Sequence, residues 1–521
     1  MRSADSGLGQ LVWFKRDLRI HDHAPLTEAA RRGPVLGLYV YEPSVVRSSE
    51  FDFCHLQFIN ESLAELSANL SARGGRLVIA HGEIVPVLER LRSLCQFNAI
   101  WSHEETGNDV TYRRDLAIGE WCRSHGIAWH ELPQTGVVRR LRSRDGWSRI
   151  WARRMADAPL PAPATISSWD APAGRNDSWR QHLAGLDVGI LDAGALGVAG
   201  VSKPEAWHGG EANARKVLAS FLDHRGVNYQ REMSSPVTAF DSCSRLSPYL
   251  AWGNISMRAV HNAARDRVAE LREQQAFGMP VDRRWFMSIR AFEARLRWHC
   301  HFMQKLESEP AIEFHNMMRS LDGLREAEFD ESRFSAWCAG ETGFPMVDAS
   351  MRALHRGGWI NFRMRAMLVS FAAWHLWLHW RRPAVFLARH FIDFEPGIHF
   401  SQFQMQSGTT GINALRIYSP AKQVLDHDPS GVFIRKYVPE LAGIPDEFLA
   451  EPHLMPAATQ KESGCVIGKD YPAPLVDHKT AWKAARERVS AFRKSAGPAL
   501  KDEKKAVLAR HGSRKKTGKS G

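Results

Sequence analysis

The chain has 521 residues, 44% of them hydrophobic and 24% charged, enough for two or three domains with cores of their own. Its start, MRSADSGLGQ, has neither the cationic beginning nor the apolar run of a secretory signal, and no apolar stretch reaches the ~18 residues of a membrane span, so a cytoplasmic protein is expected. Residues 479–521 carry 14 Lys and Arg against Glu487, Asp502 and Glu503, an excess of +11 within a formal total of +12.

Residues 8–135 alternate apolar runs with helical patterns, from LVWF and APLTEAARR through VLGLYVY and FINESLAELSANLSARG to NAIWSHEE. That order predicts a Rossmann-like α/β domain, a parallel sheet with helices on both faces. The segment has neither G-x-G-x-x-G nor a P-loop lysine, so any ligand is expected beyond the strand ends, near residues 14–19 or 102–108. Residues 136–205, rich in Arg, Pro, Ala and Gly, read as an interdomain linker. From 206 to 475 the helical period dominates and predicts an all-helical domain. Within it AMLVSFAAWHLWL, residues 366–378, is apolar nearly all round and predicts one helix buried on every side. Trp374 and Trp377 lie three apart there and Trp380 three further on, as core filling or as a chain of oxidisable indoles. The tail, 476–521, reads as basic and flexible, able to hold a polyanion or simply solvated.

Smaller signals concern chemistry. The seven cysteines form no C-x-x-C pair, and His299 and His301, two apart on a helix, point different ways, so no metal is expected. Ser244 and Ser247 around Arg245 can grip a phosphate or merely cap a helix. Arg365 and Asp393, at the ends of consecutive buried segments, are expected to pair. HFSQFQMQSGTTG, residues 399–411, is oddly polar for a neighbour of so apolar a run.

These residues carry a resemblance over positions 10 to about 455. LVWFKRDLRIHDHAPL, SRLSPYLAWGNIS, GETGFPMVDASMRAL with GGWINFRMRAM, and GVFIRKYVPEL are similar, in order, to the motifs of the DNA photolyase and cryptochrome family. Within it the chain resembles a divergent subgroup of class I-like bacterial photolyases. The resemblance implies an α/β antenna domain, a helical domain holding U-shaped FAD, and light-driven electron transfer from reduced flavin to a pyrimidine dimer in DNA. It implies that Tyr229, Cys243, Ser244, Arg245, Leu246, Ser247 and Arg295 line the flavin's phosphates and ribityl chain. Arg365, Asp393 and Glu395 would lie beside the isoalloxazine, His399 would face N5, and Arg363, Gln404 and Met405 would meet the DNA or its lesion.

The departures are specific. The flavin-proximal tryptophan of the family falls at Phe403 and the distal one near Ala327, which leaves Trp380 with Trp377 and Trp374 as a different electron route. The lesion-stacking tryptophan falls at Met405, and the lesion-facing Glu and Trp of the preceding helix align with Ala291 and Ala294. Asn361 and Arg365 replace the histidine pair of (6-4) photolyases. An antenna chromophore is expected without being identified, since Asn108 stands at the glutamate position of folate-binding members. The favoured reading is a monomeric deoxyribodipyrimidine photo-lyase acting on cyclobutane dimers in DNA. The alternatives are a cryptochrome-like blue-light receptor and a (6-4) photolyase.

Overall fold

The computed structural model describes residues 9–169, 183–412 and 417–512. Strands β1 (Gly9–Trp13), β2 (Val35–Tyr41), β3 (Leu77–His81), β4 (Phe97–His103) and β5 (Ala128–Leu132) form one parallel sheet in the order β3-β2-β1-β4-β5. Leu11 and Trp13 of β1 enter the core on one face, while Val12 enters the other. Helices cover both faces, which is why these strands read as continuous apolar runs. The strand order reverses between β1 and β4, and two cavities of about 90 and 60 Å³ lie past their carboxyl ends, where a ligand was expected.

Much of the loop after β1 serves as a clamp between domains. Arg16 donates to the Ala251 and Phe394 carbonyls and stacks 4.3 Å from the centre of Trp252, and Arg19 donates to the Gly253 carbonyl at 2.9 Å. Gly253 has φ +70°, and a Cβ there would stand 2.2 Å from the Arg16 carbonyl oxygen, so only glycine lets the two domains meet. Beneath the clamp, Asp17 accepts from His23 Nε2 (3.0 Å) and His103 Nδ1 (2.8 Å), a buried group with the composition of a metal site. The Leu26 N–H donates to His23 Nδ1, so Nε2 carries the hydrogen and is a donor to Asp17, not a metal ligand.

The 136–205 segment is more than a connection. It carries the helix Trp147–Ala156 and sends Trp169, Leu183 and Leu186 into the sheet-domain core. Beyond Gly210 every regular element among the described residues is helical. The predicted single helix at 366–378 is corrected: the α-helix Phe362–Ser370 passes into a π-turn at Phe371–His375, and Trp377 takes φ +58°. The Ala373 carbonyl accepts from Arg325 Nε and the Ala372 carbonyl from the Leu378 N–H, so neither serves the regular ladder.

The expected flexible tail is corrected up to residue 512, while residues 513–521 lie outside the described residues. His478–Ser495 and Ala499–His511 are helices packed on the core. Ala485 and Val489 join Leu324, Trp374 and Trp377, while Val507 joins Leu306 and Met317. Glu503 accepts from the backbone N–H groups of Arg319 and Ser320, and Glu309 accepts from His511 Nε2 at 2.6 Å. No helix among the described residues is long and apolar enough to cross a membrane.

Candidate functional site

A cavity of about 960 Å³ opens in the helical domain. The helices Arg284–Ser308, Phe362–Ser370 and Pro396–Ser407 and the turn at residues 243–247 give most of its wall. Of the expected site residues it gathers Tyr229, Cys243, Ser244, Arg245, Ser247, Arg295, Arg363, Arg365, Asp393, Glu395, His399, Phe403 and Met405.

Arg365 donates to both oxygens of Asp393, at 3.0 and 2.8 Å, and its Nε donates to the Ile360 carbonyl at 2.8 Å. The expected pair is therefore present, with the Asp393 side chain only 3% exposed. Glu395, the residue before the Pro396–Ser407 helix, meets His299 Nε2 at 2.6 Å. Burial opposes a charge on His299, but the Glu395 carboxylate overrides it and raises the imidazole to about 10, so a buried ion pair stands in the wall. His399, one turn into the helix, donates from Nε2 to the Ala384 carbonyl at 2.7 Å. Burial lowers it to about 4, so it is neutral and its Nδ1 keeps a lone pair. Its ring lies 4.6 Å from Phe403 and 5.2 Å from Phe394, in an apolar collar.

At 243–247 the backbone is unusual. Arg245 has φ +59°, a conformation a non-glycine residue holds only when its surroundings impose it. Arg245 Nε, Arg363 Nε, His299 Nδ1 and Gln402 Oε1 are buried without partners, four polar atoms on the cavity wall that bound polar groups would satisfy. Burial pushes the Cys243 thiol up to about 12 and also raises the Tyr229 phenol, so both are neutral hydrogen-bonding groups here.

Five expected residues stand elsewhere. Gln404 is fully buried and spent on backbone: it accepts from the Met317 N–H and donates to the Ile312 and His315 carbonyls, pinning its helix and not facing DNA. Leu246 points into the core shared with the sheet domain, since at the middle of the turn the apolar side chain turns inward. Trp374, Trp377 and Trp380 are buried behind the cavity wall. Trp374 donates to the Gln406 carbonyl and Trp380 to Asn316 Oδ1, both at 2.7 Å. The Arg325 guanidinium lies 4.6 Å from the ring centres of both Trp374 and Trp377. A cation against an indole face disfavours removing an electron from it, so these two are poor links in an oxidisable chain.

The residues of the Arg284–Ser308 helix expected to face a lesion lie off the cavity. Ala291 and Ala294 are not in the wall, whereas Arg295 and Trp298, one turn on, are. Trp298 is 50% exposed at the cavity mouth, with the Arg295 guanidinium 4.6 Å from its ring centre. The signal was the tryptophan of RLRWHCHF, a large aromatic on a polar helix face with no core to fill.

Two family models match the chain: "DNA photolyase" over residues 10–145 and "FAD binding domain of DNA photolyase" over residues 292–491, together more than half of it. It is 26% identical over 91% of its length to a deoxyribodipyrimidine photo-lyase of Alkalihalophilus pseudofirmus, covering 96% of that protein. It is 28% identical over 93% of its length to cryptochrome-2 of Arabidopsis thaliana, covering 79% of that protein. Its fold superposes on a bacterial class III photolyase from Agrobacterium tumefaciens with TM-score 0.78 and 25% identity, over 95% of this chain and 99% of the other. The chain belongs to the DNA photolyase and cryptochrome family. FAD is its cofactor by that membership, and the cavity fits it: unpartnered polar atoms, a cationic hydroxyl-rich turn and an apolar collar share one wall.

Proposed function

We propose that the protein is a light-dependent repair enzyme for cyclobutane pyrimidine dimers in DNA. The observation that carries this is the cavity mouth, where half-exposed Trp298 and Phe362 stand beside Met405 and the cations Arg297 and Arg363. Such a mouth suits two adjacent bases of one strand taken out of the stack, with rings and thioether for the bases and guanidinia for the flanking phosphates. FAD, bound and reduced, supplies the light-excited electron. The chain's own residues hold and tune the site. Ser244, Arg245, Ser247 and Arg295 take the phosphate and ribityl groups, and Arg365 fixes the Asp393 carboxylate as an acceptor for a flavin N–H. His399, neutral and locked by Ala384, offers only an acceptor nitrogen to the cavity. Phe403 keeps water off the same surface and does not relay electrons.

The test is blue-light repair by the reduced, purified protein of an oligonucleotide with one defined cyclobutane dimer, alongside one with a (6-4) photoproduct. Loss of the cyclobutane lesion is expected. Repair of neither, with FAD bound, ends the enzyme reading; repair of the second alone reassigns the lesion. Replacing Trp298 by Ala is expected to weaken dimer-oligonucleotide binding by roughly 5- to 150-fold, the ~1–3 kcal/mol of one stacked base, with FAD content unchanged. Titration of both proteins with the oligonucleotide in the dark measures this, and equal affinities remove Trp298 from the lesion site.

One observation favours the photoreceptor alternative. The last helix ends at the cavity, where His511 and Gly512 form part of its lining, so a change inside the cavity has a direct mechanical route to the C-terminal helices. Light-dependent protease sensitivity of residues 478–512, together with no repair of either lesion, is the outcome that supports it.

A further inference from the structure

The lobe of the cavity beneath the last helix contains two buried cations that the flavin site does not use. Arg144 comes from the segment after β5 and is 6% exposed; Lys305, two turns past Trp298, is 4% exposed. Arg144 Nη2 donates to His301, to its ring Nδ1 and to its carbonyl at 3.3 Å, while Nη1 is buried without a partner. The Lys305 ammonium sits 5.1 Å from the Phe302 ring centre. Among the described residues neither cation has a carboxylate within ion-pair distance. The neighbouring acids are committed: Glu309 to Arg510 and His511, Glu395 to His299, and Asp393 to Arg365. By contrast Lys15 and Arg114, which border the second cavity, are paired with Glu105 and Asp115. Two desolvated charges left facing one space are costly unless a counter-charge comes from outside the chain.

We propose that Arg144, His301 and Lys305 form a phosphate-binding subsite. All three present donors. Because Arg144 donates to His301 Nδ1, the neutral ring keeps its hydrogen on Nε2. An ammonium, a guanidinium and an imidazole N–H, with no acceptor among them and a combined charge near +2, match an oxyanion close to −2, as a phosphate monoester is. Burial lowers Arg144 to about 10 and Lys305 to about 8, as expected for cations awaiting an anion, and burial with the charges of Lys305, Arg144 and His511 lowers His301 to about 3, which keeps its ring neutral. The phosphate belongs either to a free monoester or to a DNA strand entering past Trp298. The subsite itself does not rest on the repair reading, since inorganic phosphate reaches it without a lesion.

The experiment uses the full flavin-loaded chain and inorganic phosphate, with chloride at equal ionic strength as the control. Equilibrium dialysis is expected to find one saturable site, weakened about tenfold or more in Lys305→Met and in Arg144→Gln and largely restored in Lys305→Arg. FAD content and melting temperature show that each variant folds. A second readout needs only the wild type: phosphate binding at pH 8 should take up protons, seen in the buffer dependence of the binding heat, because the anion returns Lys305 to its charged form. If phosphate competes with a single-stranded oligonucleotide and Lys305→Met weakens that oligonucleotide, the phosphate is the strand's; if neither holds while phosphate still binds, it is a free monoester. Absence of a saturable site, affinity unchanged in both variants, or binding without proton uptake overturns the proposal.

Discussion

Lowering the pH from 7 to 5 is expected to destabilise the folded chain by several kcal/mol. Burial lowers His55 and His399 to about 4 and His103 and His375 to about 3, and these residues are 9% exposed or less. In the unfolded chain the same groups titrate near 6.5, so below that pH the unfolded state binds protons that the folded state refuses. Stability therefore rises with pH across the window from about 4 to 6.5 and is lost as pH falls through it, at about 1.4 kcal/mol per pH unit for each histidine. His299 has the opposite sign. Held near 10 by Glu395, it stabilises fully below pH 6.5, and that contribution disappears as pH rises toward 10. Lys305, lowered to about 8, offsets part of this alkaline loss, because above pH 8 it is the unfolded lysine that holds the extra proton. Urea midpoints measured at pH 7, 6 and 5 check the acid limb. A flat profile would show that these imidazoles take up protons as readily in the folded protein as in the unfolded chain.

What was legible beforehand follows from how local each signal is. The five strands were readable because both faces of the sheet are covered, which turns β2 into the unbroken run VLGLYVY. Arg365 and Asp393 were readable as a pair because buried opposite charges have few other partners. The π-turn was not readable, since an all-apolar run carries no polar face from which to take a phase, and the Arg325 hydrogen bond that interrupts it comes from about fifty residues away. The C-terminal helices were hidden by charge: Ala485, Val489 and Phe492 form an i, i+4, i+7 stripe, but the lysines and arginines around them dominated the composition. Gln404 was misplaced because a glutamine in a polar stretch looks solvent-directed until its three backbone partners are known. The cavity-facing side of the Arg284–Ser308 helix lies one turn later than expected. That offset keeps the helical face and changes the residue, so Ala294 stood in for Trp298.

Replacing Arg365 by Met separates what the site needs from what the fold needs. The side chain is a near match in length, so the loss is the guanidinium and its bonds to both oxygens of a carboxylate that is only 3% exposed. Leaving Asp393 buried and uncompensated is expected to cost about 3–5 kcal/mol, read as a lower urea midpoint, and the preparation should lose its flavin absorbance. Adding Asp393→Leu removes the stranded charge as well. Because a buried ion pair and a packed apolar pair differ little in net stability, the double variant should recover most of the lost midpoint. Flavin should not return, since the acceptor proposed for its N–H is gone. Recovery of both would make the Arg365–Asp393 pair a structural brace with no part in holding the cofactor. Recovery of neither would mean that Arg365 acts through the Ile360 carbonyl, which its Nε also holds, more than through Asp393.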